Sequence, residues 1–206
     1  MDASLWPVVA LVFFFAGMVK GLVGLGLPTL AMGLLTIFMP PLGAASLLLV
    51  PSLATNVWQA VTGPSLRRTC RRLWPMGLGI VAGTWWSVLP ALGTASGIAR
   101  PALGAVLLTY AAVGLLDLRL PTVTGRHEGW LSALAGYLTG TVTAATGVFV
   151  LPAVPYLQAR RLPKVDLVQA LGLSFTLSTL ALGLHLSLRT PLGAGQVALA
   201  AGRVVP

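Results

Sequence analysis

Lys20-Gly21-Leu22-Val23-Gly24-Leu25-Gly26-Leu27-Pro28 decides how the chain folds, because it sets a cation, three glycines and a proline inside an otherwise apolar run. Glycine is poor in a helix interior, and proline removes a backbone donor and clashes with the preceding turn. The helix is therefore predicted to break here. Inside hydrocarbon, broken backbone is tolerated only where protein or a water-filled cavity satisfies its freed N–H and C=O groups, so the break should face inward. Discontinuous helices of this kind present positive dipole ends to anions at the sites of many carriers. The stretch points to an anion-handling membrane transporter.

The surrounding composition agrees. The 206 residues are 56% hydrophobic and 8% charged, far below the roughly 25% charged residues of a soluble domain. An all-α integral membrane protein follows, with room for about six to eight spans at roughly 20 residues each and no soluble domain. The net charge of +9 would suggest nucleic acid in a soluble chain. Here the cations gather in short loops between apolar runs and read as topology signals, with no nucleic-acid partner expected. Cys70 is the only cysteine, which excludes an intrachain disulfide and a cysteine metal cluster. Its neighbours Arg67, Arg68, Arg71 and Arg72 would favour a thiolate, but an incidental thiol is the simpler reading. No Lys or Arg precedes the first apolar run, so it lacks a secretory n-region and is taken as the first membrane segment.

Apolar stretches run over about Trp6–Phe38, Leu42–Val61, Leu73–Leu89, Pro101–Leu116, Trp130–Leu157, Leu167–Leu188 and from Ala194 onward, a polytopic bundle of about seven segments. Most of the six tryptophans fall near segment ends, where indole rings prefer to lie. The first and fifth segments are long and interrupted by small residues, the fifth at Thr139-Gly140-Thr141-Val142-Thr143-Ala144-Ala145-Thr146-Gly147. Ala16-Gly17-x-x-x-Gly21 aligns with Ala135-Gly136-x-x-x-Gly140, and Pro41-x-x-x-x-Ser46 to Ser52 then falls near Pro163 to Ser174 with a small shift in register. One membrane domain over 1–206 is expected, with repeat one at about 1–117 and an incomplete repeat two at about 118–206. Residues 73–117 have only 194–206 as counterparts, roughly 30 to 40 residues short of a full repeat. The Gly-x-x-x-Gly spacing also has a plain packing reading.

At Gly17-x-x-x-Gly21-x-x-Gly24-x-Gly26, Gly136-x-x-x-Gly140 through Gly147-x-x-x-x-Pro152, Pro51-Ser52-Leu53-Ala54-Thr55-Asn56-Val57-Trp58-Gln59 and the arginine loop behind it, the chain resembles the sulfite exporter TauE/SafE family, also called the toluene-sulfonate uptake permease family. It departs from the family pattern in having Gly24-Leu25-Gly26-Leu27-Pro28 for the adjacent glycines of the first half, and Gly147 alone in the second. The resemblance implies a multi-pass carrier in a prokaryotic inner membrane, without cofactor, for small sulfur-containing or organic anions such as sulfite and sulfonates.

Substrate-binding candidates follow from polarity within apolar runs: Lys20, Gly21, Gly24, Gly26, Ser52, Asn56, Gln59, Thr139, Thr143, Thr146, Gly147, Ser174 and Ser178. Lys20 is the only cation well inside a segment, where it costs about 2.5 to 3.5 kcal/mol on insertion scales. It either faces a cavity or snorkels to an interface. Ser52, Asn56 and Gln59 share one helical face, and Ser174 and Ser178 repeat the four-residue spacing. Such donors fit a sulfonate oxygen or an interhelical hydrogen bond equally well. His185 reads as packed rather than as a proton relay, and His127-Glu128 lacks a further ligand at metal spacing. No carboxylate pair, Ser/His/Asp set or phosphate loop supports an enzyme. The alternative to a carrier is a non-transporting accessory or assembly protein whose glycines only pack helices; homo-oligomerisation is open to either.

Two expectations concern geometry. The two breaks should meet near the bilayer midplane and line one cavity with Ser52, Asn56 and Ser174. Loop charge favours segments one and five as re-entrant pairs, which puts 64–72, 117–129 and 158–164 on one side with Arg100 and Arg189 opposite, and makes the repeats inverted.

Overall fold

The computed structural model describes residues 5–93, 97–116, 121–123 and 128–189. They form eight helices and no strand: α1 Trp6–Val23, α2 Leu27–Phe38, α3 Pro41–Val61, α4 Leu66–Trp85, α5 Ala99–Leu115, α6 Glu128–Thr146, α7 Ala153–Ala159 and α8 Lys164–Arg189. By length and composition α1, α3 and residues 164–188 of α8 can each cross a membrane, while α2 and α5 are shorter apolar helices. The segment expected from Ala194 lies outside the described residues.

The first segment breaks where its glycines stand. Gly24 ends α1 at φ +79°, its N–H bonded to Lys20 O at 2.7 Å, and Gly26 opens α2 at φ +111°. Both conformations lie in the left-handed region that costs other residues about 1 to 2 kcal/mol. Pro28 then sits in the first turn of α2, where its missing N–H costs nothing. The fifth segment breaks at Gly147, φ +73°, and residues 148–152 are non-helical before the short α7.

Neighbours along each helix give its direction. Gly63 lies against Gln169, Gly172 against Ala60 and Gly183 against Leu49, so α3 and α8 run antiparallel. Met76 meets Ser174, Gly77 meets Leu177 and Trp85 meets His185, so α4 and α8 run parallel. The tightest seam joins α4 and α6. A Cβ on Gly79, Gly83, Gly136 or Gly140 would overlap the carbonyl oxygen of Ala133, Tyr137, Met76 or Ile80 respectively, so these two parallel helices touch backbone to backbone. Small residues at four-residue spacing permit that approach.

This order places the C-terminus of α3, the N-termini of α4, α6 and α8, and the Gly24 break at one end of the bundle, hereafter the arginine end. The opposite end carries Gly147, against Met32, Ala45 and Leu92, and Arg100, whose Nη2 donates to Met39 O at 3.4 Å. The breaks therefore do not meet at mid-depth. Gly24 faces Gln59 and Gly147 faces Ala45, about 21 Å apart along α3 at about 1.5 Å per residue. The reason is helix length. α1 and α6 complete 18 and 19 residues before their glycines arrive, so each break comes at the end of a long helix. A second correction concerns the arginines at 67, 68, 71 and 72, which stand on the first turns of α4 and not in a loop. Arginine is a good helix former, and nothing before Pro75 interrupts the run.

Candidate functional site

α1 buries one stripe, Val9, Val12, Ala16 and Lys20, at three- and four-residue spacing. The stripe carries Lys20 into the bundle, 7% exposed, where its Nζ donates to Asn56 Oδ1 on α3. Asn56, fully buried, turns its Nδ2 to Thr179 Oγ1 of α8 at 3.4 Å. The two described carboxylates are engaged elsewhere: Glu128 with Arg72 and Arg160, and Asp166 with Ser65 Oγ at 2.6 Å. Among the described residues the ammonium thus meets a neutral amide and no counter-charge. A cation so placed favours any anion that can reach it.

The candidate hydroxyls divide into two groups. Thr139, Thr143, Thr146 and Ser174 each donate to the carbonyl four residues back, at 2.7 to 2.9 Å. Their protons are already used, a habit of Ser and Thr in helices. Ser52 and Ser178 are as deeply buried, 1% and 0% exposed, but their hydroxyls have no partner among the described residues; Thr29 on α2 shares that state. Ser52 lies one turn from Asn56 on α3, and Ser178 is next in sequence to Thr179 on α8 and one turn after Ser174. A buried hydroxyl left unbonded costs about 1 to 3 kcal/mol, which a bound oxyanion would recover.

Gln59 takes the interhelical one of the two roles its position left open. Its Nε2 donates to Gly24 O at 2.8 Å and to Val168 O at 2.9 Å, spending both amide hydrogens on the carbonyls of the break and of α8. Gln169, fully buried, performs the matching service one level outward, donating to Ala60 O at 2.7 Å and Gly63 O at 2.9 Å and accepting from Ser65 N at 3.0 Å. The sequence reading passed over Gln169, although an amide at the head of an apolar helix was the signal available. Of the glycines, Gly24 and Gly26 shape the break beside this cluster. Gly21 is exposed with open space around its would-be Cβ, and Gly147 belongs to the far end.

A second polar cluster stands at the arginine end, outside the apolar stretches. Arg72 Nε and Nη2 grip Glu128 at 2.8 and 3.2 Å, and Arg160 Nη2, its side chain wholly enclosed, reaches the same carboxylate. The Arg72 hydrogen bond, with the Arg160 charge behind it, holds the Glu128 carboxyl below its ordinary value against the opposing effect of burial. Tyr156 OH donates to Glu128 O at 3.2 Å, so α4, α6 and α7 are joined at one point. Arg160 looked like an ordinary loop cation in sequence; only the fold encloses it. His185 is 2% exposed with its ring edge to Trp85, and no group of three metal-ligating side chains occurs among the described residues. His127 lies outside them.

No curated protein and no solved structure matches the chain. The family model for the sulfite exporter TauE/SafE matches residues 9–205. With glycine-broken apolar helices around a buried cation and that match over nearly the whole length, the chain belongs to the sulfite exporter TauE/SafE family of membrane transporters.

Proposed function

We propose that the protein is a secondary carrier or uniport for small sulfur-containing or organic anions such as sulfite or sulfonates, with Lys20, Asn56, Ser52 and Ser178 as the groups that hold the anion. The observation that carries this is Lys20: a buried ammonium hydrogen-bonded to a neutral amide, without a carboxylate among the described residues. Amide and hydroxyl donors around one cation can bind an oxyanion and still release it, because no second fixed charge competes. Gln59, Gly24 and Gly26 position α1 against α3 and α8, and the threonines of α6 keep their hydroxyl protons on their own helix. Uptake of labelled sulfite and sulfonates into proteoliposomes is the test; absence of flux for every small anion by a folded protein refutes the proposal.

The orientation is part of the same reading. Arg67, Arg68, Arg71, Arg72, Arg160, Arg161 and Lys164 all belong to one end of the bundle and Arg100 and Arg189 to the other, which supports an inward-facing arginine end. α1 starts at the outer end and α6 at the inner, and α3 is antiparallel to α8, as inverted repeats over about 1–117 and 118–206 require. The accessory reading draws on Gly136 and Gly140, whose role against α4 is packing. It leaves the unpaired Ser52 and Ser178 without a purpose.

A further inference from the structure

Between α4 and α6, on the outer surface of the bundle, lies a groove of about 470 Å³ lined by Trp74, Pro75, Leu78, Ala82, Leu134 and Tyr137. It is apolar along its length, and the glycine seam forms its floor. Its far end is stopped by Tyr137, whose OH donates to Trp86 O at 3.0 Å. The near end opens towards the first turns of α4. Arg71 stands three, four and seven residues before Trp74, Pro75 and Leu78, and Arg67 and Arg68 stand seven before Trp74 and Pro75, so all three share the groove's face of α4. All three are exposed, and no ion pair engages them among the described residues, whereas Arg72 turns aside to Glu128. Trp74, 61% exposed, marks the level where an indole sits at a headgroup boundary.

From Trp74 to Ala82 the groove runs about 12 Å at about 1.5 Å per residue, close to the roughly 15 Å depth of one leaflet. We propose that this groove is a binding site for an anionic glycerophospholipid, one acyl chain lying from Trp74 to Ala82 and the phosphate held by Arg67, Arg68 and Arg71. The charge complementarity selects the occupant: an apolar trough alone would take any lipid, but three exposed guanidinium groups at its mouth, with no ion pair among the described residues, favour a negative headgroup. Placement in a membrane is all the proposal borrows from the functional reading, so it stands or falls separately from the substrate.

The test uses the purified full chain in phosphatidylcholine nanodiscs containing a minor fraction of phosphatidylglycerol or phosphatidylcholine with brominated acyl chains, which quench nearby indoles. The difference between the native chain and Trp74→Phe isolates the Trp74 signal. Phosphatidylglycerol should be preferred about tenfold or more at Trp74, and Arg71→Gln should reduce that preference about fivefold, the effect expected of one cation near an anionic surface. Ala82→Leu, which fills the far end of the groove and keeps every arginine, should also lower Trp74 quenching by phosphatidylglycerol. Equal quenching by the two lipids in the native chain overturns the proposal. So does an unchanged preference in Arg71→Gln, or quenching that Ala82→Leu leaves intact.

Discussion

Replacing Lys20 by Met removes the buried charge and keeps a flexible chain of similar length, so the substitution separates anion binding from packing. Two effects on stability oppose each other. Loss of the Lys20 donor leaves Asn56 Oδ1 buried without its partner, at about 1 to 3 kcal/mol. Removing the ammonium returns up to about 2.5 to 3.5 kcal/mol, the insertion cost at a helix centre and an upper bound for a residue in the last turn of α1. The two effects largely cancel, so stability should change by less than about 2 kcal/mol. Binding has no such compensation. A hydrogen bond to a charged group contributes about 1.5 to 3 kcal/mol, so affinity for sulfite should fall roughly 10- to 150-fold. Proteoliposome uptake over a range of sulfite concentrations gives the affinity, and thermal unfolding in detergent gives the stability. The double variant Lys20→Met/Asn56→Leu should regain any stability lost by the single one and remain defective in uptake. Unchanged affinity in Lys20→Met would refute the reasoning and leave Lys20 a snorkelling or packing residue.

Gly83→Ala must push Tyr137 O away from α4, so it should destabilise the fold by about 1 to 3 kcal/mol or more; Gly17→Ala, with open space around it, should be neutral or stabilise by up to about 1 kcal/mol, and unfolding midpoints compare the two. Glu128 has its folded value depressed, chiefly by the Arg72 hydrogen bond. Its contribution is therefore complete above the ordinary carboxylate value of about 4.3 and is lost as pH falls through the lower folded value. Glu128→Gln should flatten the acid limb of the stability profile in that window, and an unaltered limb would assign acid sensitivity elsewhere. With Cys70→Ser as background, Leu162→Cys should react with an impermeant maleimide in inverted vesicles and resist it in intact cells; the opposite pattern would reverse the proposed orientation.

Much of the fold was legible because glycine and proline act through the backbone alone. Gly24, Gly26 and Pro28 announce a chain reversal wherever they stand, and Gly147 does the same before α7. Loop charge grouped 64–72 with 158–164 before any contact was known. Less legible was the depth of each break, which depends on how many helical residues precede it relative to its neighbours. The reading set the breaks at mid-depth, while α3 holds them near opposite ends. The partner of Gly136-x-x-x-Gly140 was hidden in another way. Gly79-x-x-x-Gly83 is plain in the sequence, yet which two small-residue faces meet is decided by tertiary packing. Lys20, Asn56 and Ser52 were identifiable as polar residues in apolar company. Whether a hydroxyl has spent its proton on its own helix was not, since Ser174 and Ser178 are the same residue on the same helix and differ only in surroundings.

The parallel α4–α6 seam also governs the order in which the molecule can be assembled. Two touching helices that run the same way must be joined by a crossing in the opposite direction, and that crossing is α5, in which Leu103 alone is buried. As the chain emerges from the ribosome, the glycine face of α4 has no mate until synthesis has passed Thr146. α5 can gain little from its neighbours while it waits. Docking of α6 is thus the event that commits the α4–α6 pair, and a lesion in α5 should appear first as a failure of biogenesis, before any loss in the finished protein.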